Sequence, residues 1–186
     1  DIYTFCRRVR RAPATGIHYR LPPDGPTAMA TETATTTDVS NATGDWKAGV
    51  AGGLAGSVIF GLVMAFVIPA PLLDVVIPSM YGLAPPAAPF LGWVVHMSHG
   101  AVIGVGFAAL LRMRPDLGDA VGKAVGVGGA YGLAVWVGLA VIVMPIWLPA
   151  VGSPATPPLP NVSALSAAGH LVYGAILGGV YAGVAE

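Results

Sequence analysis

Three histidines in otherwise apolar segments are the side chains of this 186-residue chain best suited to chemistry. His96 and His99 share one apolar run, and His170 lies in another. An imidazole there can donate or accept a hydrogen bond, carry a proton near neutral pH or bind a metal. Because ionisable groups are rare inside apolar spans, all three histidines are candidate ligand or relay residues.

The residues alone leave four interpretations of these histidines open. The one we favour is structural, with a neutral imidazole hydrogen-bonded to a neighbouring helix. The second is a haem with His96 and His170 as its two axial ligands. The third is a proton or ion path, although the spans hold no other ionisable group to support it. The fourth is a metal site that includes His99, although Tyr173 occupies the matching position in the second half of the chain.

Glycines follow two of these histidines at helical spacing. Residues four and eight positions after His96 and His170 are all glycine: Gly100, Gly104, Gly174 and Gly178. Residues four apart share one face of a helix, and small residues allow neighbouring helices to approach closely. The pattern therefore predicts that both histidines face another helix rather than lipid. The expected hydrogen-bond partners are the other histidine, Ser57, Ser98, Tyr131 and Tyr173.

The same pattern occurs twice along the chain. Gly52 and Gly56 recur 76 residues later as Gly128 and Gly132, and the histidine with its two glycines recurs after 74 residues. The spacing predicts a duplicated pair of helices, with repeat 1 at 47–111 and repeat 2 at 123–184. All eight glycines are expected at helix contacts. Since each unit crosses the membrane twice, the two repeats are parallel and related by an axis along the membrane normal.

Composition places these repeats in a membrane. Hydrophobic residues make up 55% of the chain and charged residues 10%, whereas a soluble domain carries about 25% charged residues. A span of about 30 Å requires roughly 20 apolar residues in a helix. Four runs qualify, at 47–69, 89–111, 123–148 and 163–184. They predict an all-α integral membrane protein with four transmembrane helices in two parallel hairpin repeats.

The placement of charge predicts the orientation. Basic residues near the spans all fall on one side of the membrane: Lys47, Arg112, Arg114 and Lys123. The loops on the other side contain no Lys or Arg. By the positive-inside rule, we expect a multi-pass protein of the cell membrane with both termini in the cytoplasm.

The first 44 residues differ from the rest of the chain. They are poor in large apolar side chains, so we expect residues 1–44 to be a disordered tail before a membrane domain at 45–186. Residues 1–28 hold five arginines but neither a Met nor an apolar signal segment. They are an upstream extension or, alternatively, a basic arm attracted to lipid.

Other kinds of site and partner find little support in the residues. No Ser-His-Asp set is present, so we predict that the protein is not an enzyme. Neither a cofactor nor a nucleic-acid partner is predicted, with haem as the open alternative. The expected partners are the lipid bilayer and, through the glycine faces, a second copy or a membrane complex.

A family resemblance rests on Gly92-Trp93-Val94-Val95-His96 with its two glycines, and on Gly169-His170 with Gly174. Over residues 47–183, the chain resembles a family of small, uncharacterised archaeal and bacterial membrane proteins with duplicated Gly/His hairpins. The resemblance implies four spans and no assigned activity. Some relatives are labelled sensor kinases, but this chain has no recognisable ATP-binding domain. We expect a structural or small-ligand-binding role, with a haem module or a small transporter as alternatives.

Overall fold

The computed structural model describes residues 45–68 and 71–185. Within these ranges, the protein is helical, without strands. Each of its four long helices is long and apolar enough to cross a membrane, which confirms the predicted class: α1 (Trp46–Phe66), α2 (Pro89–Met113), α3 (Val121–Ala150) and α4 (Ala164–Val184). The predictions for residues 1–44 lie outside the described residues.

Local signals account for where three of the helices begin. Asp45 Oδ1 accepts hydrogen bonds from the backbone N–H groups of Lys47 (3.0 Å) and Ala48 (3.2 Å), and so caps α1. Pro89 occupies the first turn of α2, where its missing N–H has no partner to lose. Ser163 Oγ accepts a hydrogen bond from Ser166 N (3.3 Å) and caps α4.

The two connections rich in proline, between α1 and α2 and between α3 and α4, define the proline-rich end of the bundle. The first contains a π-helical turn, Leu72–Val76, that runs into a short α-helical turn, Ile77–Ser79. Together they form the first-loop helix, whose Leu73 and Ile77 are buried in the hydrophobic core. The opposite, basic end holds the α2–α3 connection.

Helix α3 changes its winding along its length. It is α-helical over Val121–Val135, π-helical over Trp136–Val143 and α-helical again over Met144–Ala150. A π-helical stretch shifts backbone pairing and leaves some carbonyls available. Asn161 takes up two of them, through its side-chain amide to Ala140 O (3.3 Å) and its backbone N–H to Val141 O (3.1 Å).

Glycines set how closely the helices pack within each hairpin. In the first hairpin, a Cβ on Gly100 or Gly104 of α2 would overlap α1. In the second, a Cβ on Gly174 or Gly178 of α4 would overlap the backbone of α3. All eight predicted glycines lie at helix–helix contacts: Gly52, Gly56, Gly100, Gly104, Gly128, Gly132, Gly174 and Gly178. Each hairpin is therefore closed by direct backbone approach, as small residues allow.

The contacts between hairpins are uneven, which departs from the expected pseudo-twofold bundle. Helix α1 packs closely on α4, whereas α2 and α3 hardly touch. One side chain bridges them: the Tyr131 hydroxyl donates to Ile103 O (3.0 Å), and its ring lies 5.4 Å from that of Phe107. The physical reason is that Gly128 and Gly132 of α3 lie against α4, while the side chain that α3 turns to α2 is the bulky Tyr131.

Candidate functional site: a cavity lined by three histidines

The space left between α2 and α3 continues into a cavity of about 320 Å³ in the proline-rich half of the bundle. That volume lies at the lower end of the range for small-molecule sites. All four spans and both proline-rich connections contribute to its wall. The polar lining residues are Ser57, His96, His99, Asn161, Ser163, Ser166, His170 and Tyr173. Most of the remaining wall is aliphatic side chains, Phe60 and the thioethers of Met64, Met80 and Met144.

The first-loop helix covers part of this cavity. Leu72 and Ile77 line it from that helix, and Met80 lines it just beyond. The connection is held in place by two hydrogen bonds, from Trp147 Nε1 to Met80 O (3.0 Å) and between the hydroxyls of Ser79 and Ser153 (2.7 Å). This loop therefore forms one wall of the cavity.

His96 forms a hydrogen bond across a helix interface. It is buried, and its Nε2 lies 2.9 Å from the backbone carbonyl oxygen of Ser57 in α1. Because a carbonyl oxygen only accepts, Nε2 must carry the hydrogen. In the neutral imidazole, Nδ1 then holds a lone pair and can only accept.

His170 forms its hydrogen bond within its own helix. Its Nδ1 lies 2.8 Å from Ser166 O, one turn earlier in α4. By the same argument Nδ1 carries the hydrogen, so Nε2 holds the lone pair. His96 and His170 are therefore opposite tautomers, although the repeat predicts them to be equivalent.

The second ring nitrogen of both histidines is available to a ligand. Neither His96 Nδ1 nor His170 Nε2 has a hydrogen bond among the described residues. Within that part of the chain, the buried side-chain polar atoms without a partner are Ser57 Oγ and Trp136 Nε1. The two imidazole nitrogens are therefore not enclosed by protein, and both residues line the cavity.

His99 has a partner at the proline-rich end. Its Nε2 lies 2.6 Å from the hydroxyl of Tyr81, which follows the first-loop helix. The matching residue in the second repeat, Tyr173, instead lies buried against α1 and donates to Gly100 O (2.9 Å). The residues at the two positions therefore differ in both chemistry and environment.

Phe60 stands between His96 and His170 and was not singled out by its sequence. Its ring centroid lies 4.7 Å from that of His170 and 6.0 Å from that of His96, with an edge-on arrangement in both pairs. Gly169 makes room for it, since a Cβ there would overlap the Phe60 ring. The available signal was its position one turn beyond Gly56, which places it on the face of α1 turned to α4.

The expected hydrogen-bond partners behave differently from one another. Ser57 contributes its backbone carbonyl to His96, while its fully buried hydroxyl has no partner and lies against Gly100. Ser98 bonds to its own helix at Val94 O (2.8 Å), away from the cavity lining. Among the described residues, no three His, Cys, Asp or Glu side chains converge as a metal site would require. The three histidines thus share a cavity without forming a ligand cluster.

The cavity combines an apolar wall with two imidazole lone pairs. Such a site can hold a small molecule by burial and orient it through a few polar contacts. Comparisons with protein-family models, with curated proteins and with solved structures found no match to this chain. The cavity itself is therefore the feature that bears on the function of the protein.

Proposed function

We propose that this four-span protein binds a small, largely apolar molecule in the cavity between its helices. The observation that carries the proposal is the cavity of about 320 Å³ lined by all four spans, with His96 and His170, each with one uncommitted ring nitrogen, among its lining residues. Concave, mainly apolar sites with a few convergent polar groups are the usual form of small-molecule sites.

A purely structural role explains only part of this arrangement. The His96 bond to Ser57 O joins two helices, as helix-packing histidines do. The His170 bond to Ser166 O stays within α4 and joins no second helix. The half-buried imidazole packs edge-on against Phe60 of α1, so a structural role accounts for its ring but not for its second nitrogen. Ligand binding supplies a reason for His170 to be there.

A through-path for ions or protons has less support than binding. Below the cavity, the rings of Tyr131 and Tyr181 pack against Phe107, with centroid distances of 5.4 and 5.7 Å. Phe107 is completely buried. This aromatic layer closes the basic half of the bundle, so the cavity ends within the membrane.

The haem alternative is also less well supported. Two axial histidines must face each other across a flat macrocycle. Here the Phe60 ring packs edge-on against both imidazoles and occupies the space that the macrocycle needs. Adding haem to the purified protein is expected to give no Soret band. A Soret band that disappears in His170→Ala would establish the alternative.

The same proposal includes an orientation and an origin. The basic end faces the cytoplasm under the positive-inside rule, so the cavity lies in the outer half of the cell membrane. Contacts between residues 74 positions apart support duplication: Ser79 bonds to Ser153, and the rings of Phe107 and Tyr181 meet at 90°. Counterparts that touch are expected near a pseudo-twofold axis. The resemblance to small four-span prokaryotic proteins and the possibility of homo-oligomers stay predictions.

Binding can be tested with a probe that has only the required size and apolarity. We propose ¹⁹F NMR of fluorobenzene with the full chain in lipid nanodiscs. A bound signal is expected in addition to the lipid-dissolved one. The variant Ala140→Phe places a ring in the cavity and should abolish that signal, because Ala140 lines the cavity.

The matched control is Val102→Phe on α2. Val102 is 71% exposed on the outer surface of the bundle, so the added ring should leave the bound signal unchanged. A bound signal that survives in Ala140→Phe, or that never appears in the wild type, would overturn the proposed function. The melting temperatures of both variants show whether they remain folded.

A further inference from the structure

The uncommitted ring nitrogens at the cavity wall are acceptors. His96 Nδ1 and His170 Nε2 carry lone pairs because the other nitrogen of each ring donates to a backbone carbonyl. In an apolar surrounding, a hydrogen-bond acceptor without a donor is unfavourable. A ligand that donates hydrogen bonds removes that cost, whereas an ether, a ketone or an anion cannot.

The wall between these nitrogens suits a flat ring. Phe60 presents its ring edge-on to both imidazoles, and aromatic rings prefer such edge or offset contacts. The thioethers of Met64, Met80 and Met144 line the same cavity. Methionine adapts its shape to a neighbour and makes favourable contacts with aromatic rings.

The space between α2 and α3 gives such a ring a route to and from lipid. The two helices hardly touch, and apolar side chains of both helices, Ile103 and Leu139, line the cavity here. Tyr131 closes the gap on the side of the basic end through its bond to Ile103 O. A hydrocarbon tail can therefore leave the cavity sideways while the ring stays inside.

We infer that the ligand is a membrane lipid with a phenol or hydroquinone head, whose hydroxyls donate to His96 Nδ1 and His170 Nε2 while its tail leaves between α2 and α3. This inference rests on the proposed ligand-binding function and specifies its chemistry. It assigns His96 and His170 as direct ligand contacts. The inferred step is binding alone, so no bond in the ligand forms or breaks.

The test compares three molecules of nearly equal shape. Decylhydroquinone, its dimethyl ether and decylquinone each compete with fluorobenzene for the full chain in nanodiscs, at pH 8 without oxygen. Imidazole is neutral at that pH, given its ordinary pKa of about 6.5. The hydroquinone is expected to bind at least tenfold more tightly than the ether or the quinone, since it alone donates.

Two substitutions remove the accepting nitrogen while keeping the structural bond. In His170→Asn, the amide N–H takes the position of Nδ1 and can still donate to Ser166 O. In His96→Gln, the amide N–H takes the position of Nε2 and can still donate to Ser57 O. Both variants should bind fluorobenzene as the wild type does and lose the preference for hydroquinone. The matched control is Ser98→Ala, which removes a hydroxyl of α2 outside the cavity lining.

The outcomes separate the inference from the function on which it rests. Equal affinity for the hydroquinone and the ether, with fluorobenzene still bound, overturns the inference and leaves the proposed function intact. A preference that survives in both histidine variants also overturns it. Absence of any bound fluorobenzene overturns the proposed function instead. If a variant does not fold, the imidazole ¹⁵N shifts of the wild type decide: both accepting nitrogens must move on adding hydroquinone and stay in place with the ether.

Discussion

The α1–α4 interface and the α2–α3 gap are counterparts under the proposed duplication, yet one is closed and the other is open. In the closed interface, Tyr173 lies against Gly56, and Leu177 lies against Gly52. In the open one, the residues 74 positions earlier, His99 and Ile103, line the cavity. Corresponding positions of the two hairpins thus pack closely in one place and line the cavity in the other, and Tyr173 reaches the cavity as well.

The difference is explained by a small number of bulky side chains on α3. Helix α1 presents glycine on two faces, with Gly49 turned to α2 and Gly52 turned to α4. Helix α3 instead turns the bulky Tyr131 toward α2, at Ile103 and Gly106. Its Gly128 lies against α4. A cavity can therefore form between two similar helix pairs where one of them carries a bulky side chain in place of a glycine.

The largest expected effect comes from disrupting a closed interface. In Gly104→Leu, the new side chain would overlap the backbone of α1 at Gly49. Overpacking typically costs 1–3 kcal/mol, and a backbone collision belongs at the upper end, so we expect a loss of about 3 kcal/mol in unfolding free energy. Reversible unfolding in mixed micelles measures it. The matched control is Gly126→Ala, where a Cβ meets nothing, and a gain of up to about 1 kcal/mol is expected from helix propensity.

The next effect concerns the aromatic residue that joins the closed interface to the cavity. Phe60→Ala removes a ring that is 7% exposed and contacts both histidines. A loss of about 3 kcal/mol is expected from the same unfolding measurement. The comparison is Trp136→Phe, 76 positions later, which removes a buried N–H without a partner. That change should be neutral or stabilising by about 1 kcal/mol, and a large loss there would contradict the assignment of an unpaired N–H.

A smaller effect is expected where the two repeats meet at the proline-rich end. Ser79 donates to Val76 O, so in the pair with Ser153 the hydroxyl of Ser153 is the donor. Ser153→Ala removes this bond and the acceptor of the Ala155 N–H (3.1 Å), and Ser79→Ala removes this bond and leaves the buried Ser153 hydroxyl without an acceptor. We expect a loss of about 1–2 kcal/mol from each variant. A double-mutant cycle should give a coupling near 1 kcal/mol, and additive losses would show that the hydroxyls do not interact.

The hydrogen bond of Tyr131 across the α2–α3 gap should contribute still less to the unfolding free energy. Tyr131→Phe removes the donor to Ile103 O but keeps the ring against Phe107. The half-buried position predicts a loss of about 0.5 kcal/mol. Spin labels on the exposed residues Val105 and Val137 report whether α2 and α3 separate. An unchanged distance distribution would show that the Tyr131 hydroxyl does not keep α2 and α3 together.

The smallest effect is expected at the α2–α3 connection itself. Arg114 forms a salt bridge with Asp116 (3.0 Å), and both side chains are well exposed. The hydrogen bond from Arg114 lowers the pKa of the Asp116 carboxyl. Its stabilising effect is therefore present above the ordinary pKa of an aspartate and is lost as pH falls through the lowered value. Arg114→Gln should return the Asp116 pKa toward normal by NMR titration without a measurable change in unfolding.

The sequence predicts the spans well because length and hydropathy alone define them. The predicted starts of α1 and α2, at 47 and 89, lie within one residue of the observed ones. It also places glycines at helix contacts. It does not predict which helix each glycine meets, because neighbours such as Gly52 and Gly53 point about 100° apart and contact different helices.

The cavity is harder to predict than the spans that surround it. The cavity is present because α2 and α3 do not pack closely against each other. A missing contact leaves no periodic signal in the sequence. The two tautomers depend on whether each ring turns to its own helix at Ser166 or to the next one at Ser57. The π-helical stretch of α3 has no single residue that marks it, although Asn161 compensates for it from a distant part of the chain.

The hydroxyl pair at the proline-rich end has a consequence for ancestry. Under the proposed duplication, Ser79 and Ser153 are the same position of the unit, and they bond to each other. Two separate copies of such a unit would place the same serine on both sides of a true twofold axis. Two identical hydroxyls there cannot both donate to each other, so a symmetric dimer would leave the direction of the bond undecided. The single chain decides it, because the Ser79 hydroxyl donates to Val76 O and Ser153 therefore donates to Ser79.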